Sequence, residues 1–312
     1  MNLQQLEYIV AVDMHRHFVK AAEHCFVTQS TLSMMIKKLE DELGVLLFDR
    51  SKQPVIPTEA GTQIISQARV ALREVAVIQQ IAQEIQGAVK GELRIGVIPT
   101  LAPYLLPLFL SDFMKQYPLI KLKITEQTTA HILKELAMDS LDVGIMATPL
   151  QMEGYMETPL FYERFKVYVS NTEKRLTKNY LLPEDIDVNR LWLLEEGHCL
   201  RTQALNLCEL KKQQAHAHSL EYEAGSMESL LKIVEINEGL TIVPELVTLG
   251  FDEKTRQQLR DFKPPVPLRE VSLVTYRHFV KKKLLEELKR VITCAVEKHL
   301  PKIDSEGLVV GM

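Results

Sequence analysis

Residues 18–39 constrain this chain more than any other stretch. Phe18 to Cys25 reads as a short helix, with Ala21 and Ala22 at a close-packing position. A tight turn follows, then a second helix from Val27 to Glu40. In it Leu32, Met35, Ile36 and Leu39 recur at the spacing that buries one helical face. Gln29, Ser30, Thr31, Ser33, Met34 and Lys37 fall on the other faces. A short helix, a turn and a second helix with a polar outer face form a helix-turn-helix pattern, whose second helix enters the major groove of double-stranded DNA. Leu3, Leu6, Ile9 and Val10 predict a helix ahead of it. Behind it, Val45–Arg50 and Pro54–Pro57 read as two short strands. Their tip, Arg50-Ser51-Lys52-Gln53, is a basic wing, and Arg50 and Lys52 are placed there to touch the DNA backbone.

Charge is distributed to suit that reading. The whole chain carries 37 Lys+Arg against 41 Asp+Glu, a formal net charge of −4, which argues against bulk coating of nucleic acid. The first sixty residues hold six basic and eight acidic groups, yet residues 15–39 hold four basic groups, three histidines and only Glu23. Positive charge is therefore concentrated where DNA would lie. Glu40-Asp41-Glu42 is expected to face away.

Thr58 is a plausible cap for one long helix. Along it Ile64, Ala68, Ala71, Val75, Ile78, Ala82 and Ile85 alternate steps of four and three, a heptad seam. Such a helix runs about 45 Å, and Gly87 ends it. A seam this regular wants a partner helix, the nearest being the same helix of a second chain; packing on its own domain is the alternative. From Gly91 the texture changes. Strands are predicted at Leu93–Ile98, Ile120–Thr125, Leu141–Ala147, Arg164–Ser170, Leu191–Leu194, Leu240–Val243 and Val271–Tyr276. Helices are predicted between them at Leu101–Tyr117, Thr129–Asp139 and Ser226–Glu238, and after them at Val280–Leu300. Buried strands alternating with helices predict a parallel α/β sheet. The expected organisation is a winged helix-turn-helix domain over 1–57, a linker helix over 58–90 and a two-lobed α/β domain over 91–312. Lobe I takes about 91–163 and 268–300, and lobe II about 164–267, with a cleft between them.

A hydrophobic content of 46% excludes disorder as the main state. No run approaches the roughly 18 apolar residues of a membrane span. The first residues lack a signal-peptide pattern. Four cysteines are too few for a disulfide scaffold, so cytoplasmic thiols are expected.

Phe18, Ala21-Ala22, Gln29-Ser30-Thr31-Leu32-Ser33, Ile36, Leu39-Glu40, Leu43-Gly44, Leu47-Phe48, Arg50 and Thr58-Glu59-Ala60-Gly61 resemble, in order and spacing, the N-terminal pattern of the LysR-type transcriptional regulators. The resemblance covers the whole chain. It implies a periplasmic-binding-protein-like regulatory domain and a homo-oligomer, a dimer through the linker helix and usually a tetramer. It also implies an activator of transcription with RNA polymerase as a further candidate partner. Ile95-Gly96-Val97-Ile98-Pro99-Thr100, Pro103-Tyr104-Leu105-Leu106-Pro107, Gly197-His198-Cys199-Leu200-Arg201 and Cys208 resemble the hydrogen-peroxide-sensing members. By that resemblance Cys199 is the peroxide-reacting thiol and Cys208 the thiol that resolves it into a disulfide. Thr100, Thr129 and His198 line the peroxide pocket, with His218 a candidate counterpart of a downstream pocket histidine. No cofactor and no metal are implied.

The residues themselves can be asked for the same chemistry. A strand end, Gly197, and then a helix over Leu200–Leu210 put Cys199 near a helix N-terminus, where the dipole favours a thiolate. His198 and Arg201 add to this, while Glu195 and Glu196 oppose it. If 199–208 is helical, its ends lie about 13 Å apart, beyond the roughly 7 Å between Cα atoms that a disulfide allows. Oxidation would have to unwind the segment. The short closed loop is worth about 2–3 kcal/mol, comparable to allosteric couplings of about 1–3 kcal/mol. Plainer readings stand beside these. Cys25 and Cys294 read as core thiols. Thr100 and Thr129 are explained equally well as helix caps. A zinc site from His198, Cys199, Cys208, His216 and His218 fits no common spacing. For function, a LysR-type regulator opened by a small organic ligand in the cleft is the alternative. A thiol peroxidase is the third reading, disfavoured because an enzyme has no use for the helix-turn-helix.

Overall fold

The computed structural model describes the chain apart from residues 86–90, 151, 172–179, 188–189, 209–222, 277–280, 302, 304–306 and 312, and apart from the side chains of 77, 79–85 and 184. Two compact units result, dividing near residue 88.

In the first unit, α1 (Leu3–His15) begins at Asn2. Its side chain accepts the Gln5 N–H, while the Gln5 side chain accepts the Asn2 N–H, a reciprocal cap. After it come α2 (Phe18–His24) and α3 (Gln29–Leu43). Thr28 caps α3, and Gly44 ends it in the left-handed conformation that glycine adopts without strain. Three residues of the predicted α3 stripe are buried, Leu32, Ile36 and Leu39 closing on Ile9, Val12 and Ala21, and the fourth, Met35, is half-buried against them. The wing is smaller than predicted, with β1 (Phe48–Asp49) pairing antiparallel with β2 (Ile56–Pro57). Glu40 does not face away as expected. It is buried because its carboxylate accepts the Leu47 N–H and pairs with Arg50.

Helix α4 (Glu59–Ile85) starts where Thr58 accepts the Gly61 N–H. Gly61 is required there: a Cβ would stand 2.0 Å from the Leu47 carbonyl oxygen. The heptad seam is split. Ile64, Ala68 and Ala71 pack into the unit's own core with Ile65 and Leu72, whereas Val75 is half-buried and Ile78 is 67% exposed. The side chains of Ala82 and Ile85, and residues 86–90 at the predicted end of the linker, lie outside the described residues.

The second unit contains β3 (Gly91–Val97), α5 (Ala102–Gln116), β4 (Ile120–Glu126), α6 (Thr129–Ala137), β5 (Val143–Thr148), β6 (Tyr155–Val169), β7 (Tyr180–Leu181), α7 (Cys199–Leu207), α8 (Met227–Ile236), β8 (Leu240–Pro244), α9 (Glu253–Arg256), β9 (Leu259–Phe262), β10 (Pro267–Tyr276), α10 (Lys282–Val296) and β11 (Leu308–Val309). The strand order is β4-β3-β5-β10-β6-β9-β7, with β11 on β10 and β8 on β6. The sheet is mixed, which corrects the expected parallel one. β3 runs parallel to β4 and β5, but β10 is antiparallel to β5 and β6. The reason is β6, a strand of 15 residues. Tyr155–Arg164 pair with β10, and Phe165–Val169 pair with β8. β6 thus passes from one hydrophobic core to another, the first built on Ile95, Val143 and Val271 and the second on Val167, Ile242 and Leu230. The strand that carries the chain back must run against it.

Two further expectations fail locally. Leu191–Leu194 forms only isolated bridges, to Leu240 and Ala224. Cys25 is half-buried against the first unit's core, but Cys294 is exposed, because Val291, Ile292, Ala295 and Val296 take the buried face of α10. Among the described residues no helix is long and apolar enough to cross a membrane.

Candidate functional site

Gly197 turns the chain in a left-handed conformation, φ 96°, and His198 leads into α7. Cys199 is therefore the first residue of α7, where backbone N–H groups have no intrahelical partner and the helix dipole is positive. Its side chain is buried. The group that meets it comes from β10. Arg269, with no exposed surface, lies with Nη2 3.8 Å from the Cys199 sulfur and donates from the same nitrogen to Thr100 Oγ1 at 2.7 Å. Its other end, Nη1, is 3.4 Å from Glu163 Oε1. Glu163 stands opposite Arg269 in the β6–β10 ladder and is equally buried, and its Oε2 accepts the Leu246 N–H at 2.9 Å. Burial pushes the Glu163 carboxyl up; the Arg269 charge and the Leu246 N–H pull it the other way. A sulfur with a guanidinium and a helix N-terminus beside it is in the kind of setting that makes cysteine nucleophilic.

Sequence reasoning did not single out Arg269 or Glu163. The only signal was a pair of charged residues, Arg269-Glu270, in a strand with many apolar residues, and that signal is weak. Thr100 is linked to the cysteine through Arg269, and it is not a helix cap: Leu101 holds the cap position of α5 without a side-chain bond. Thr129 is not a cap either. Thr128 precedes α6, and the Thr129 hydroxyl is buried without a partner. The described hydrogen bonds do not join Thr129 to Cys199. His198 is buried with Nε2 3.7 Å from Glu195 Oε1. It faces a cleft of about 380 Å³ whose other wall includes Pro103, Tyr104, Glu126 and Thr128. Burial and Glu228 push the Tyr104 phenol up to about 12. His218 and His216 lie outside the described residues.

Cys208 closes the other end of α7. It packs against the core built on Val167, Ile242 and Leu230, whereas Cys199 belongs to the one built on Ile95, Val143 and Val271. Burial pushes its thiol up to about 11. Both cysteines are free. With the helix intact they are about 13 Å apart along its axis, so joining them requires α7 to unwind. Unwinding would also break the bonds that hold the helix to the residues after β11, Gln203 Nε2 to Val310 O at 3.0 Å and Asn206 Nδ2 to Gly311 O at 3.2 Å.

In the first unit, Gln29, Ser30, Met34 and Lys37 are exposed on α3, while Thr31 and Ser33 are half-buried. The hydroxyls of Ser30 and Thr31 bond to Thr28 Oγ1 at 2.9 and 2.8 Å, which fixes the start of the helix. Arg50 is engaged within the unit. It pairs with buried Glu40 at 2.7 Å, reaches Ser33 Oγ at 3.4 Å, and stacks its guanidinium 5.3 Å from the centre of the Phe18 ring. Lys52 is exposed at the wing tip.

Comparison with known proteins places both units. Residues 3–62 match the bacterial regulatory helix-turn-helix protein, lysR family, and residues 86–296 match the LysR substrate binding domain. A hydrogen peroxide-inducible genes activator of Dickeya chrysanthemi is 34% identical over 98% of this chain and 100% of its own length. The DNA-binding transcriptional dual regulator OxyR of Escherichia coli is 34% identical over 97% of this chain and 98% of its own. Among solved structures, a full-length OxyR variant from Pseudomonas aeruginosa superposes with a TM-score of 0.77 at 32% identity, covering 94% of this chain and 98% of that one.

Proposed function

The chain belongs to the LysR family of bacterial helix-turn-helix transcription regulators, and from that premise we propose that it senses hydrogen peroxide through Cys199 and reports it to promoter DNA. The observation that carries this reading is one buried sulfur at the α7 N-terminus beside Arg269, whose guanidinium is anchored by Thr100. The Cys199 thiolate attacks one peroxide oxygen. The S–O bond forms as the O–O bond breaks, leaving a sulfenic acid and hydroxide, which takes a proton to become water. Arg269 and Thr100 hold the charge and the hydrogen bonds around the reacting atoms. Once α7 unwinds, the Cys208 sulfur attacks Cys199, the S–S bond forms and the sulfenic oxygen departs as water. Peroxide gains the two electrons that the two thiols lose. One such event per switch suffices, so no turnover is required and the protein acts as a regulator rather than an enzyme, working in the cytoplasm as an activator that engages RNA polymerase.

The test is a peroxide titration of the intact protein, with thiol state read by mass spectrometry and DNA contacts by footprinting. A Cys199–Cys208 disulfide that appears together with an altered footprint is the expected result. A footprint that changes while both cysteines stay reduced would remove the reading. The interlobe cleft supports the second reading, a small organic ligand as signal, which that same outcome would favour.

DNA is read by α3, with Gln29, Ser30, Thr31, Ser33, Met34 and Lys37 as contacts. The wing's two basic groups are expected to part company. Lys52→Ala should weaken binding to all sequences alike and lower the salt slope by about one. Arg50→Ala leaves buried Glu40 without its cation and should instead cost the chain about 1–3 kcal/mol in urea unfolding. Equal effects of both changes on the salt slope, with no loss of stability, would put Arg50 back on the phosphates.

Self-association is assigned to the far part of α4, since α1 already covers the near part. Val75→Asp or Ile78→Asp places a charge in that seam and should shift a dimer, or the tetramer built from it, toward monomer. Light scattering that finds the same oligomer for both variants would exclude α4 as the interface.

A further inference from the structure

Arg269 is claimed from two sides. Its Nη2 end faces Thr100 and the Cys199 sulfur, and its Nη1 end faces Glu163. Nothing in the chemistry above uses Glu163. Yet it is fully buried, directly opposite Arg269 in the strand ladder, and fixed by the Leu246 N–H. We propose that Glu163 sets the reactivity of Cys199 by competing with the sulfur for the charge of Arg269. This rests on the reading of Cys199 as the reacting thiol.

Charge count decides the matter, because Arg269 and Glu163 have no exposed surface and Cys199 has little. Arg269 and Glu163 together are neutral, so a thiolate at Cys199 would leave the cluster with one uncompensated negative charge, which burial penalises. With a neutral residue at 163, the guanidinium would be the unbalanced charge, and a thiolate would balance it. The remaining charged groups around the site do not replace either partner. Glu245 follows β8 and raises the Glu163 carboxyl further. His198 is paired with Glu195. Arg201 is held by the Leu194 carbonyl and lies 3.6 Å from Glu223. Glu270 follows Arg269 in β10, so its side chain leaves the other face of the sheet, where it accepts from Thr148 and Tyr162. Glu163 is therefore a positioning residue: it holds the guanidinium and draws charge away from the sulfur without touching the reacting atoms.

Glu163→Gln is the decisive variant, because glutamine keeps an oxygen for the Leu246 N–H and removes only the charge. The probe is iodoacetamide, an uncharged thiol reagent, with the rate of Cys199 alkylation in the full-length protein followed by mass spectrometry from acid to alkaline pH. The half-reactive pH is expected to fall by about one unit and the neutral-pH rate to rise about tenfold. Glu163→Asp keeps the charge at a greater distance and is expected to fall between Gln and the parent, so it serves if the Gln variant does not fold. A slower reaction at every pH with an unmoved midpoint, or a midpoint moved upward, would overturn the proposal. A parent protein whose Cys199 ignores peroxide would instead sink the sensor reading, while the alkylation profile still decides the role of Glu163.

Discussion

Replacing Cys199 with serine is expected to abolish the response to peroxide. Serine cannot form a sulfenic acid, so α7 should stay wound and the footprint should stay that of the reduced protein at every peroxide dose. DNA binding itself should survive, because the helix-turn-helix is built on its own core of Ile9, Leu32, Ile36 and Leu39. Cys208→Ser separates the two steps. Its Cys199 keeps Arg269, anchored by Thr100, as a neighbour and should still oxidise, but no intramolecular disulfide can close. The sulfenic acid should persist or oxidise further, and switching should be partial. Cys25→Ser and Cys294→Ser should leave the response intact. Mass spectrometry of thiol state against dose, run beside footprinting, reads all four. A Cys199→Ser protein whose footprint still shifts with peroxide would eliminate the mechanism.

The second large effect is expected at Arg269. Arg269→Leu leaves Glu163 fully buried with only the Leu246 N–H for company. Removing one partner of a buried pair costs about 3–5 kcal/mol, measurable as a lower urea midpoint. The loss should depend on pH in a defined sense. Burial already raises the Glu163 carboxyl, and without Arg269 nothing of opposite charge holds it down. The folded variant then binds a proton that the unfolded chain releases at lower pH. That proton-linked stability is fully present below the unfolded carboxyl value and is lost as pH rises through the raised folded one. The gap between variant and parent should therefore widen from acid toward neutral pH. The double change Arg269→Leu with Glu163→Leu removes both charges and should recover much of the loss. A gap that is flat with pH, or that widens toward acid, would show that Glu163 is not the group left stranded. Cys199 alkylation should also slow in Arg269→Leu, the reverse of what Glu163→Gln should do.

The elements that sequence reading found best are those whose signal is local. The α3 stripe is periodic within fifteen residues, and the side chains of Leu32, Ile36 and Leu39 are fully buried as the spacing requires. Thr58 caps α4 through a bond three residues away. Cys199 begins a helix because Gly197 turns the chain just ahead of it. Where the reading failed, a partner distant in sequence decided. The heptad seam is continuous in sequence, but α1 covers its first half and leaves Ile78 exposed. Arg50 has a partner that the wing pattern does not state, Glu40, ten residues away and buried beneath it. The sheet looked parallel because a strand's own residues do not state the direction of its neighbour; β6, by crossing between cores, fixed β10 antiparallel.

The sequence by itself determined the helix-turn-helix, the long helix behind it, the alternating α/β part and the cysteine at a helix start. Each is written in residues within a turn or two of one another, where capping and side-chain periodicity act. The tertiary structure alone decided what surrounds the sulfur. Arg269 is 70 residues from Cys199, 106 from Glu163 and 169 from Thr100; the register of β6 against β10 sets Glu163 opposite it, and the start of α7 and the turn before α5 bring the other two. A buried arginine in a strand is an anomaly in one dimension. It becomes a shared cation only when folding removes water and leaves a carboxylate and a sulfur as the groups that can balance it.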